Sequence, residues 1–458
     1  MQDFTKGNTT RLLILFALPM FLSNIFQQFY NMTDALIIGQ FRGGHGLAVV
    51  GTCGPLMNFF LAALTGLTSG SSVVISQLFG AKREDELKRS VSTSILFIGG
   101  LALVVSVLGA VFTPALLRMM NTPEELMADA VIYLRIIMIG MFFPAMYNMY
   151  IAYMRALGDA KMPLYFLIAS TILNVLLDIW FLAGLKLGVA ANAFSTVLAQ
   201  ALAALACYIR VNRSMDLLKT KKLFFDKEQM KLILKYGLPS AIQTSIITFA
   251  GLLIMRLVNS FGALSIAGYT AANKIDGFAT MPINNIGTAL SLFVAQNMGA
   301  GREDRAKDGL KTARLLMLGF SLIISAVAFL FGKQLIALFV AKTDPNYAEI
   351  VGIGIKYLTT IVSFYFLFSF YFAFNGFFRG VGDAIVSMGM SIASLAIRTA
   401  SAYLLASLFL MGPEAIAWSI PLGWGSLTLF GWWYYRKRKW AGKMAIKAPA
   451  NPEPEAAE

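Results

Sequence analysis

The chain has 458 residues, 57% of them hydrophobic and 14% charged, with a formal net charge of +14 and a mean hydropathy of +0.68. This composition excludes an ordinary soluble domain and leaves room for about twelve membrane spans of roughly 20 residues each. Two scattered cysteines and a single histidine argue against a disulfide framework and against a zinc centre.

Apolar runs predict an all-α integral membrane protein of twelve transmembrane helices. In chain order the first half holds 12–39, 48–78, 91–113, 130–156, 163–183 and 189–209. The second half holds 232–260, 264–297, 312–331, 351–378, 385–410 and 414–435. The first run is too long for a cleavable signal peptide and carries Asp34. Residues 1–209 thus read as an N-terminal six-helix lobe, 210–231 as a linker, 232–435 as a C-terminal lobe, and 436–458 as a basic, then disordered, tail.

Basic residues gather in alternate loops: Lys82, Arg83, Lys88 and Arg89; Arg210 to Lys231, including Lys221 and Lys222; Arg302 to Lys311; and Arg436 to Lys447. The intervening loops hold only Arg42, Arg118, Lys186, Lys333 and Lys342. That alternation is the positive-inside pattern of a cell-membrane protein with both termini in the cytoplasm. The charge therefore reports topology, and no nucleic-acid partner is expected.

The halves repeat each other. LLILFALPM at Leu12 returns as LILKYGLPS at Leu232, QLFGAKRED at Gln77 as QNMGAGRED at Gln296, and RALGDA at Arg155 as RGVGDA at Arg379. Three landmarks in one order at an offset of about 220 residues mark a duplication, the usual sign of a secondary transporter. Because each half has an even number of spans, the two bundles should be related by a pseudo-twofold axis along the membrane normal. Gly80 and Gly299 suit left-handed helix ends. Pro19 and Pro239 correspond, each able to kink the first helix of its half.

A carboxylate in a bilayer is costly and asks for a role or a partner. Asp34 and Asp178 fall at similar depth near the outer ends of the first and fifth helices. Gln27, Tyr30 and Asp34 share one helical face, as do Asn174 and Asp178, and Ser195 and Thr196 reach the same depth on the sixth helix. These groups can converge on one polar pocket, or serve only as helix-to-helix hydrogen bonds. The second half differs: Ile254 lies at the offset of Asp34, and Arg398 and Ala402 at those of Asn174 and Asp178. Its own charges are Lys274 and Asp276, with Arg256 and Arg398, readable as a structural ion-pair cluster or as substrate contacts. The aromatic run from Phe364 to Phe378 suits either helix packing or a cleft for flat cationic compounds.

The stretches LPMFLSNIFQQFYNMTDALIIGQF at Leu18, GPLMNFFLAALTGLTSGSSVVISQLFGAK at Gly54, RALGDAKMP at Arg155, NVLLDIWF followed by GVAANAFSTVLAQ, and VAQNMGAGREDRA resemble the multidrug and toxic compound extrusion (MATE) family. The resemblance spans nearly the whole chain. It implies two six-helix lobes and cation-driven efflux of amphipathic or cationic compounds, in a monomer without a cofactor. The chain looks most like the DinF-type branch. That implies coupling of H⁺ or Na⁺ at Asp34, Asn174 and Asp178, with Thr196 beside them. Gln27, Tyr30, Tyr133, Asn148, Ser195, Lys274 and Asp276 would line the network or cleft, and Pro19 would bend the first helix. The NorM-type branch adds a Glu in the seventh helix, where this chain has Ile247, and an Asp in the tenth, where its span has none. The alternative is a flippase for a lipid-linked precursor, which shares the duplicated fold. An enzyme is not supported, because HExxH, nucleophile-elbow and Walker motifs are missing.

Overall fold

In bilayer hydrocarbon a helix satisfies its own backbone groups, and the chain answers that constraint throughout. A computed structural model describes residues 2–185, 188–219, 223–444 and 446. Lys186, Lys221, Lys222, Lys447 and the tail from 447 to 458 lie outside the described residues. Among those described, thirteen α-helices and one π-helical turn form, and no strand.

The first half comprises α1 (Thr9–Gly80), α2 (Glu84–Met119), α3 (Glu124–Ile139), α4 (Phe142–Ala156), α5 (Lys161–Asp178) and α6 (Val189–Ser214). The second comprises α7 (Lys227–Ser260), α8 (Ala263–Gly299), α9 (Glu303–Ala337), α10 (Tyr347–Val362), α11 (Tyr365–Val381), α12 (Ala384–Ser407) and α13 (Glu414–Arg436). Eight helices are long and apolar enough to cross a membrane, or ten if each bent pair counts once. The bent pairs are α3 with α4, at 44°, and α10 with α11, at 52°. Each was read from sequence as one span.

The first two expected spans join into α1, which breaks only at Gly43 (φ 61°, ψ −157°). A side chain would strain that conformation, and glycine adopts it freely. The loop expected between residues 39 and 48 shrinks to this break. His45, on the helix just beyond it, bonds Asp129 at 2.8 Å.

The repeated short motifs are helix ends. At GAGRED, Gly301 (φ 75°) is left-handed, with Arg302 N–H donating to the Asn297 carbonyl at 2.8 Å and Gly301 N–H to that of Met298 at 3.0 Å. At GAKRED the same place falls to Lys82 (φ 55°), where Arg83 N–H donates to the Leu78 carbonyl at 3.0 Å. Gly158 (φ 82°) and Gly382 (φ 103°) close RALGDA and RGVGDA in the same way. All four are Schellman turns. The left-handed residue comes two positions after Gly80 and Gly299, because those glycines are the last helical residues and the turn closes beyond them.

Two compact units result. One contains Leu18–Ile242 and begins with the residues before Phe4; the other contains Phe4–Ala17 and the chain from Gln243 on. The expected lobe boundary at the linker therefore differs from the packing boundary, which falls inside α7. In the first unit, Gly237 of α7 seats against Gly70 of α1, where a Cβ on Gly70 would overlap the Tyr236 carbonyl. In the second unit, Phe4 is wholly buried, packs edge-on against Phe16 at 4.9 Å, and has its N–H held by Gln296 Oε1 at 3.0 Å. Phe374, Phe377 and Phe378 of the aromatic run are core residues, packed against Tyr434, Tyr435 and Trp440.

Candidate functional site

Asn174 and Asp178 lie one turn apart on α5 and are both fully buried. Directly after Asp178 the helix widens into a π-turn, Ile179–Gly184. Such a turn re-aims the residues around it and often marks a functional position. The chain then re-enters as α6, whose first two turns carry Asn192, Ser195 and Thr196.

Asn192 ties these elements to α1. Its amide nitrogen donates to Asp34 Oδ1 at 2.8 Å and to Asp178 Oδ1 at 3.1 Å. Its amide oxygen accepts from the Tyr133 hydroxyl of α3 at 3.4 Å. One buried amide thus uses both donors on two carboxylates and its acceptor on a phenol, which fixes its orientation. The two carboxyl groups therefore meet on one amide nitrogen.

Ser195 Oγ contacts Asp178 Oδ1 and lies 2.8 Å from the Asn192 carbonyl. Its hydroxyl has one proton, so it donates to one of these at a time. If it donates to the carbonyl, a protonated Asp178 can donate to Oγ; if Asp178 is ionised, the hydroxyl turns to the carboxylate. Tyr30 lies within hydrogen-bonding reach of Thr196 and beside Asp34. Asp178 Oδ2 and both polar atoms of Asn174 are buried without a hydrogen-bond partner among the described residues. Each orphan of this kind costs about 1–3 kcal/mol, so the cluster is held at the expense of stability.

The structure therefore brings together Asp34, Asp178, Tyr30, Tyr133, Ser195 and Thr196, with Asn174 one turn from Asp178. Gln27 instead bonds Asn31 on its own helix at 3.4 Å, and Asn148 donates to Pro144 O of α4 at 2.8 Å. In the second unit Asp276 accepts from the Tyr365 hydroxyl at 2.5 Å and faces Arg398. Lys274 lies over the Phe339 ring at 5.5 Å, and Arg256 is exposed, so neither joins Asp276. Pro19 lies inside α1, with Ser23 Oγ donating to its carbonyl at 2.8 Å. Asn192 is the residue the sequence reading missed. Its signal was there: it precedes Ser195 by three residues, on the same face of the same helix.

Among the described residues no group of three or more His, Cys, Asp or Glu side chains could hold a metal ion.

The MatE family profile matches residues 19–180 and 239–404, one match in each half and most of the chain. The chain belongs to the MATE family. It is a multi-pass membrane transporter and not an enzyme. It is 29% identical to the probable multidrug resistance protein YpnP of Bacillus subtilis, over 96% of this chain and 97% of that protein. It is also 29% identical to the probable multidrug resistance protein YoeA of the same organism, over 86% of each chain. The fold matches a crystal structure of MATE in complex with MaL6, with a TM-score of 0.88 and 22% identity, covering 95% of this chain and 97% of that one.

Proposed function

We propose that this MATE transporter is a secondary antiporter that exports amphipathic or cationic compounds by alternating access, driven by cation entry at Asp34 and Asp178. The observation that carries this reading is the single Asn192 amide joined to both carboxylates. The names of the Bacillus subtilis relatives, probable multidrug resistance proteins, support export of drugs. The paired carboxyls support a proton as the exchanged ion, since two acids brought together on one buried amide are stabilised when one of them is neutral.

Protonation removes charge from the pair and turns one carboxyl from acceptor to donor. Asn192 then donates to a neutral carbonyl oxygen in place of one carboxylate, a weaker bond, and the Ser195 hydroxyl is released to its own helix. The outer part of α1, Gln27 to Gly39, is then tied less firmly to α5 and α6. Its break at Gly43 and the proline at Pro19 define a segment able to rearrange as one piece. Substrate loses contacts or space and leaves outward. By linkage the ion drives this step only if it binds the two conformations with different affinity. Asn174 and Thr196 tune the pair, and both termini lie in the cytoplasm.

Drug efflux from proteoliposomes, with pH and Na⁺ gradients imposed separately, tests the reading. Efflux driven by the proton gradient alone is expected. Efflux driven only by Na⁺ would reassign the ion, and efflux indifferent to both gradients would remove the antiport assignment.

A further inference from the structure

The end of α13 carries features that neither the fold nor the transport site uses. Leu429 and Phe430 are exposed, as befits a lipid-facing helix, and one turn later Trp432 and Trp433 are 48% and 41% exposed. The helix then ends in four consecutive cations, Arg436 to Lys439. Arg438 adopts a left-handed conformation (φ 51°) and pairs with Glu303. Among the described residues the other three cations have no carboxylate partner.

Two of them lie on indole faces instead. The Arg436 guanidinium sits 5.2 Å from the Trp432 ring centre, and Lys439 Nζ sits 4.4 Å from that of Trp433. The turn that returns Lys439 to Trp433 is locked by Trp440. That residue is 1% exposed, stacks on Tyr435 at 5.7 Å, and donates its indole N–H to the Tyr435 carbonyl at 3.0 Å. The cations are therefore held in place next to an exposed aromatic pair. A ring face satisfies the charge without using its N–H donors, which remain directed to whatever lies beside them.

We propose that this surface binds the phosphodiester of an anionic phospholipid, with Arg436 and Lys439 on the phosphate and Trp432 and Trp433 against the glycerol and upper acyl chains. Phosphate chemistry alone would also admit a free anion. The lipid is favoured because the cations sit where an exposed apolar helix face ends in paired indoles, the sequence of groups met across a membrane interface. Unlike a diffuse positive loop, the site is preorganised, so it distinguishes a charged headgroup from a zwitterionic one. The inference does not depend on the direction or ion of transport.

The test uses the purified full-length protein in detergent, read by its melting temperature during titration with phosphatidylglycerol, phosphatidylcholine or inorganic phosphate. Phosphatidylglycerol should raise the melting temperature saturably, and the other two should not. The double variant Arg436→Gln/Lys439→Gln should need roughly 25-fold more phosphatidylglycerol, about fivefold per charge removed. Arg436→Lys/Lys439→Arg should bind normally and guards against a folding defect. Arg210→Gln/Arg213→Gln, which removes the same charge elsewhere, should also bind normally. Equal shifts with phosphatidylcholine, an equal response in the Gln variant, or an equal loss on removing Arg210 and Arg213 would overturn the proposal. Full saturation by inorganic phosphate would make the site one for free anions and would overturn the lipid assignment.

Discussion

The two units fill matched positions with opposite chemistry. In the first, Asp34, Tyr133, Asp178 and Asn192 form a hydrogen-bonded knot. At the spacings that relate the two halves, the second unit has Ile254, Tyr357, Ala402 and Ile416, and all four belong to one buried hydrophobic cluster. A six-helix bundle of this design is therefore built without the acids. Around Ile254, Tyr357, Ala402 and Ile416 the second unit packs as an apolar core. Arg398, at the place of Asn174, nevertheless keeps a buried Nε without a hydrogen-bond partner among the described residues, as Asn174 and Asp178 keep theirs in the first unit. Acids in such a place ask for a role, and coupling to a cation is the one proposed here.

The sharpest way to break this comparison is to remove charge on each side. Asp178→Asn should reduce gradient-driven efflux to background in proteoliposomes while expression and substrate binding persist, and Asp34→Asn should do nearly the same. Asp276→Asn should leave most of the efflux. If the double variant Asp34→Asn/Asp178→Asn still pumped at the normal rate under an imposed gradient, the assignment would be wrong.

Exchanging the central residue gives the next largest effect. Ile416→Asn would bury an amide in the apolar core and should destabilise the protein by about 2–3 kcal/mol, seen as a lower melting temperature. Asn192→Leu frees two carboxyls from their shared donor and should impair efflux at least tenfold with a smaller change in melting. Equal stability effects at the two positions would mean that the units are chemically alike after all.

Asn174 separates stability from transport within the first unit. Replacing it by Leu removes an unpartnered buried amide and should raise stability by about 1 kcal/mol while slowing efflux. A variant that is both less stable and fully active would contradict the role given to it.

The smallest effect compares the two copies of the helix-ending turn. Lys82→Gly should stabilise by about 1 kcal/mol, because the left-handed conformation that costs lysine is free for glycine. Gly301→Lys should cost a similar amount. Thermal melts of both variants decide it, and opposite signs are required.

The twelve apolar runs, the duplication and the acids of the first half were legible because each is a pattern in hydropathy or repetition. Span ends at Thr9, Glu84 and Glu303 lie outside the apolar runs because those helices continue past the hydrocarbon, where hydropathy carries no signal. The bend between α10 and α11 leaves no mark, since no proline sits there, whereas that between α3 and α4 falls at Gly140, four residues before Pro144, whose missing N–H and ring disfavour a continuous helix at that point. Asp34 and Asp178 announced themselves by charge. Asn192 did not, because an amide among alanines reads as ordinary helix packing until the carboxyls on either side are placed. Asp276 shows the reverse: its charge was obvious, but its partner, Tyr365, hid in an aromatic run.

The packing boundary has a consequence for how such a chain can be cut or grown. Neither half, divided at the linker, is a complete folding unit. A fragment ending there lacks the start of α7, and with it Gly237, the neighbour that fits against Gly70. The complementary fragment lacks Phe4–Ala17, and with it the wholly buried Phe4 ring and the backbone that Gln296 and Asn297 hold. Each piece would carry an arm whose seat is on the other. Two half-length chains of this kind would assemble as an arm-exchanged pair, the geometry of a domain-swapped dimer. A single chain makes that exchange intramolecular, so its two halves are obliged to fold together.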